Sequence, residues 1–218
     1  MKKTFALLFT FLMLFIFKAQ DKPAFWNDIE HFKQINKENP PPKDAILLLG
    51  SSSFTMWKDV SDYFPAKQIV NRGFGGSSLN DLNFYSDELL KPYSPKQIII
   101  YCGENDFAGN EKLTARQVFN RYKNFYAEIR KYYPTIQVDY ISIKLSPSRE
   151  NLWPKFIATN SLIKRFMNKK KTADYINITK AMNDENGRIR KDLFLEDMLH
   201  MKPNGYEIWA KEMKPFLK

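Results

Sequence analysis

Five short runs of apolar, largely β-branched residues recur along the chain, at 45–49, 68–71, 97–102, 138–143 and 175–178. Between and after them lie segments of helical periodicity at 79–90, 114–133, 153–171 and 203–216. Strands separated by helices join as right-handed βαβ units, which makes a parallel sheet held between helix layers. The third run, with three consecutive isoleucines at 98–100, lacks the polar alternation of a half-exposed strand and reads as buried on both faces. A chain of 218 residues that is 44% hydrophobic has enough apolar side chain for one such core. No internal repeat or second domain boundary interrupts the pattern.

Two segments precede the first strand. Residues 1–20 begin with Lys2 and Lys3 and continue as an apolar run that is short for a membrane span. They are expected to be a secretory signal peptide, so the protein is expected to be exported, to the periplasm or the medium. Residues 21–43 follow as an amphipathic helix and a proline-rich connector. Phe25, Trp26, Ile29 and Phe32 recur at helical spacing, and Pro40, Pro41 and Pro42 end the helix. Residues 44–218 form the remaining domain.

The net charge is +10, and three of the lysines lie in residues 1–20. The other basic residues are scattered, apart from 164–171, which reads as the exposed end of a helix. No nucleic-acid partner and no lasting membrane association are expected from such a surface. The single cysteine, Cys102, excludes an internal disulfide and is expected to be a small buried hydrophobe.

In parallel sheets, functional groups gather at the carboxyl ends of the strands. Gly50-Ser51-Ser52-Ser53 follows the first strand, and Gly73, Gly75 and Gly76 follow the second. Gly103-Glu104-Asn105-Asp106 follows the third, while Asp197 and His200 precede the last helix. A serine hydroxyl is a poor nucleophile until a base takes its proton. Of the two histidines, His31 sits on the amphipathic helix and His200 has an acid three residues before it. In a turn, that spacing lets Asp197 hold the far ring nitrogen and set the tautomer. Backbone N–H groups of Ser52 and Gly76, with the Asn105 amide, supply donors for a developing oxyanion. Glycine at 76 is expected to let backbone approach substrate closely. The residues leave open which serine of 51–53 is the nucleophile.

These blocks resemble the SGNH (GDSL-type) esterases and lipases. Gly50-Ser51-Ser52-Ser53 is similar to the family's first block, Asn71 to Ser77 to its second, Gly103 to Asp106 to its third and Asp197 to His200 to its last. The resemblance implies a flavodoxin-like α/β/α sandwich with a five-stranded parallel sheet, and neither metal nor cofactor. It further implies Ser52 as nucleophile, Asp197 and His200 as its triad partners, and Ser52, Gly76 and Asn105 as the oxyanion hole. Ser51 departs from the aspartate usual in the family, and the chain is similar to a bacterial subgroup with the same variant.

After the fourth strand, Lys144, Arg149 and Trp153, with Arg72 from the second, are expected to line the substrate pocket and favour a polar or anionic small-molecule substrate. The expected reaction is hydrolysis of carboxylic esters, with short acyl groups such as acetyl on a carbohydrate. A lysophospholipase is the alternative within the class. From another class, an anion-binding module would use the glycine–serine turns alone, leaving Asp197 and His200 without a purpose.

Overall fold

Alternate residues of the strands feed two separate cores, one on each face of a single sheet. The computed structural model describes residues 22–218, so the leader read at 1–20 lies outside the described residues. Helix α1 (Trp26–Glu38) leads into β1 (Ile46–Gly50), the short helices α2 (Ser52–Thr55) and α3 (Val60–Tyr63), and β2 (Ile69–Gly73). Then come α4 (Leu79–Phe84), α5 (Ser86–Leu90), β3 (Gln97–Tyr101), α6 (Glu104–Gly109) and α7 (Ala115–Tyr132). The chain ends with β4 (Gln137–Ile141), α8 (Trp153–Met167), β5 (Ala173–Ile176) and α9 (Pro203–Met213).

The strands pair in the order β2-β1-β3-β4-β5, all parallel. On one face Leu47, Leu49, Ile98, Ile100, Val138 and Tyr140 pack with residues of α1, α4, α5, α7 and α8. On the other, Ile46, Leu48, Ile99, Tyr101, Ile141 and Ile176 pack with α2, α3 and α9. This is the expected three-layer α/β/α sandwich. The connection from β1 leaves to one side and the next returns to the other side of β1, so the strand order reverses beside β1. That is where open α/β sheets form their crevice.

Local chemistry sets several of the helix boundaries. Thr114 and Gln117 form a capping box at the start of α7, each side chain bonding the other's backbone N–H. Proline occupies the first turn of both α8 and α9, where its missing N–H costs nothing.

The structure departs from the periodic reading in three places. The helical segment at 79–90 is two helices broken at Tyr85, whose hydroxyl donates to the Ala24 carbonyl at 2.6 Å. The last strand ends at Ile176; Ile178 is buried beyond it, its N–H bonded to Ser142 Oγ rather than to a neighbouring strand. Helices α2, α3 and α6 have six residues or fewer, too short to show a period. Among the described residues, no helix is long and apolar enough to cross a membrane.

Candidate active site

Four loops meet at the carboxyl end of the sheet. The first is the serine turn. Gly50 has φ 154°, and a Cβ there would lie 1.9 Å from the Tyr101 carbonyl oxygen, so only glycine lets β1 and β3 end side by side. Ser51 continues with its N–H on Tyr101 O at 3.1 Å and its carbonyl accepting from Phe54 and Thr55. Of the three serines, Ser51 and Ser53 are buried at 3% and 2% exposure, and Ser52 alone is partly open. Ser52 opens α2, at the positive end of a short helix.

The glycine turn after β2 lies over it. A Cβ on Gly75 would approach Ser52 Cβ at 4.0 Å. Gly76 has φ 85°, and a Cβ there would meet only Phe25 of the segment before α1, at 3.7 Å. Backbone conformation, more than closeness of approach, therefore demands glycine at 76. Asn105, in the first turn of α6, donates one Nδ2 hydrogen to Ser77 O at 3.0 Å and keeps the other. Asp106 ties the same turn down: its carboxylate accepts from Leu79 N–H at 2.9 Å and Arg121 Nη1 at 2.8 Å. Among the described residues, neither Ser52 N–H nor Gly76 N–H donates to another protein group.

The last loop carries the base. His200 Nε2 is 3.0 Å from Ser52 Oγ, and its Nδ1 is 2.6 Å from Asp197 Oδ2. Asp197 Oδ1 accepts the backbone N–H of Leu199 and of His200, both at 2.9 Å. This tight turn needs Met198 at φ 52°. Burial pushes the Asp197 carboxyl up, but the His200 backbone and ring, the Leu199 N–H and the imidazole charge outweigh it, bringing the pKa down to about 2. An ionised carboxylate only accepts, so the imidazole carries its proton on Nδ1 and offers Nε2 to the Ser52 hydroxyl.

Beneath the rim lies a buried polar cluster that sequence reasoning did not assign. Glu104, buried, accepts from Lys144 Nζ at 2.6 Å, Ser146 Oγ at 2.5 Å and Tyr101 OH at 3.0 Å. Burial raises the Glu104 carboxyl, but the charges of Lys144 and Arg149 and the bonds from Lys144 and Ser146 hold it below its ordinary value. Burial lowers the Lys144 ammonium, with Glu104 opposing. The one advance signal was a glutamate between the buried, isoleucine-rich strand and Asn105.

Two expected pocket residues are corrected. Arg72 is buried against α1: Nε donates to Tyr93 OH, Nη2 to Asn36 Oδ1 and Nη1 to Asn71 O, at 2.7–2.8 Å. It pairs across the ladder with Leu49, whose side chain enters the core shared with α1, so its side chain turns into that layer. Lys144 is 1% exposed and lies under the site, its charge spent on Glu104. Trp153 donates its indole N–H to Ser146 O at 3.0 Å and helps line a cavity of about 370 Å³ with Leu145, Pro147, Ile189 and Lys191. None of Ser52, Asn105, Asp197 and His200 lines that cavity. Arg149 alone of the four stays at the rim, its side chain 18% exposed. Cys102 is buried, with its thiol pushed up by that burial, and His31 is exposed on α1.

The sequence model of the GDSL-like lipase/acylhydrolase family matches residues 49–208, from the serine turn into α9. The chain belongs to that family. It is an ester hydrolase of the GDSL class, and its sheet and helix layers are the family's three-layer fold. Among solved structures, one from Streptococcus pneumonia named for platelet activating factor is 20% identical, with a TM-score of 0.76, over 88% of this chain and 92% of that one. A GDSL-like lipase from Bacteroides thetaiotaomicron is 20% identical, TM-score 0.70, over 86% and 97%. A family 3 carbohydrate esterase from Clostridium thermocellum is 15% identical, TM-score 0.63, over 79% and 94%. No curated protein matches the chain by sequence.

Proposed function

We propose that this GDSL-family chain is an exported esterase that removes short acyl groups, such as acetyl, from a carbohydrate or another small polar molecule through an acyl-enzyme on Ser52. The observation that carries the reading is the contact of His200 Nε2 with Ser52 Oγ at 3.0 Å, backed by Asp197 on the other ring nitrogen. Ser52 Oγ attacks the ester carbonyl while its proton passes to His200 Nε2. Negative charge developing on the carbonyl oxygen is met by the N–H groups of Ser52 and Gly76 and the spare Asn105 hydrogen. His200 then protonates the departing alcohol, and water admitted to the same base hydrolyses the acyl group.

Export is supported by the basic, apolar leader at 1–20. A short acyl group on a sugar is supported by likeness to the carbohydrate esterases of Clostridium thermocellum and Talaromyces cellulolyticus. The test is a panel of p-nitrophenyl esters of increasing chain length, run beside O-acetylated sugars and a lysophospholipid. Acetate released fastest, and a steep fall with chain length, is the expected outcome. Preference for the long acyl chains or the lysolipid would replace this substrate with a lipid.

A further inference from the structure

One carboxylate in the wall of the site stands between two cations. Glu104 Oε2 takes Lys144 Nζ and Tyr101 OH, and Oε1 takes Ser146 Oγ, all within 3.0 Å. Arg149 Nη1 stands further off, 3.5 Å from Oε1. Lys144, 1% exposed, already neutralises Glu104. The Arg149 guanidinium is therefore a second positive charge without a carboxylate of its own. Its side chain is 18% exposed and makes no hydrogen bond to protein among the described residues. Asp197, in the adjoining loop, is committed to the His200 ring and to two backbone N–H groups.

The position of this charge is fixed by its neighbours. Ser148 donates both its N–H and its hydroxyl to Met198 O at 3.0 Å, which joins the residue before Arg149 to the loop holding Asp197 and His200. The contact with Glu104 sets the guanidinium beside the residue that precedes Asn105. Arg149 itself has φ −122° and ψ 30°, a break within the 3₁₀ turn Pro147–Leu152 that turns it out of the helical path. This partly buried cation, whose nearest carboxylate is already neutralised by Lys144, keeps its donors for a further anion. Its planar fork of donors matches a carboxylate or a phosphate.

We propose that Arg149 is a specificity residue that receives an anionic group, carboxylate or phosphate, carried by the ester near its scissile carbonyl. This rests on the reading of Ser52 as the nucleophile of an esterase. Lys144 makes the arrangement work, because without it Arg149 would be the counter-ion of Glu104.

The experiment compares phenyl acetate, para-acetoxybenzoate and para-acetoxyphenyl phosphate, with the intact protein at low and at high salt. The wild-type ratio of kcat/KM for anionic over neutral ester is expected to fall as salt screens the site. In Arg149→Gln the same ratio is expected to drop by about tenfold or more, chiefly through KM, with Arg149→Lys in between because it keeps the charge and loses the fork. Whichever anionic ester loses more identifies the group as carboxylate or phosphate. A wild-type ratio indifferent to salt overturns the proposal, as does an unchanged ratio in Arg149→Gln. The salt series needs no variant, so a poorly folding substitution leaves a decisive measurement. Turnover of all three esters without anionic preference defeats the role of Arg149 alone; turnover of none defeats the esterase reading, and this inference with it.

Discussion

At the scale of single residues, the chemistry rests on which atom of His200 holds a proton. Asp197 decides that, because its carboxyl, held near a pKa of about 2, stays ionised throughout the neutral range. Asp197→Asn would place an amide N–H opposite Nδ1, push the ring proton to Nε2 and remove the acceptor for Ser52. A loss of roughly 10⁴ in kcat with little change in KM is the expected result, read from steady-state kinetics on p-nitrophenyl acetate. Asn105→Ala removes one oxyanion donor and is expected to cost roughly 10² to 10³ in kcat. The choice among three serines is also made at this scale. Ser51 and Ser53 are buried, so the aspartate usual in the family is replaced by a residue that contributes its backbone to the turn, and Ser52 keeps the exposure and the histidine.

At the scale of elements, the arginine expected to meet substrate instead fastens α1 to the sheet edge. Arg72 bonds Asn36 of α1 and Tyr93, and its guanidinium lies 5.4 Å from the Phe32 ring and 5.5 Å from that of Tyr93. Arg72→Met is expected to lower the unfolding free energy by roughly 2–4 kcal/mol and expose α1 to protease. Chemical denaturation and limited proteolysis would measure the two effects. An unchanged denaturation midpoint would contradict this role. The error of placement has a physical source. The end of a parallel strand tells which rim a residue occupies, but the face its side chain takes depends on the pairing register. Leu49 opposite Arg72 settles that face, and no single strand's sequence shows it. By contrast, Ser52, Asn105, Asp197 and His200 were legible because each follows or precedes a strand or helix end and carries a chemically distinctive group. Glu104 was not assigned, since its meaning depends on Lys144 and Ser146 arriving from about forty positions away.

At the scale of the whole molecule, the middle of the sheet buries a carboxyl whose charge the fold disfavours. Asp139, on β4, is fully buried and accepts from the side chains of Gln97 and Gln137 and from Asp174 N–H. Burial raises its pKa to about 6, with those hydrogen bonds only partly opposing. A folded pKa above the unfolded one means that the native state binds the proton more tightly. The stability from this group is fully present below the unfolded value near 4 and is lost as pH rises through about 6. Wild type compared with Asp139→Asn across that window should lose on the order of 3 kcal/mol, by urea denaturation at each pH. A difference between the two that stays constant with pH would contradict a proton on Asp139.

The central claim is that Ser52 is a nucleophile made reactive by His200, and covalent labelling tests it most directly. A fluorophosphonate probe, followed by peptide mapping of the protein, should place a single adduct on Ser52. Ser52→Ala should abolish both label and turnover, and His200→Ala should leave the label nearly undetectable. A label on Ser51 or Ser53, or an unchanged rate of labelling in His200→Ala, would contradict the account.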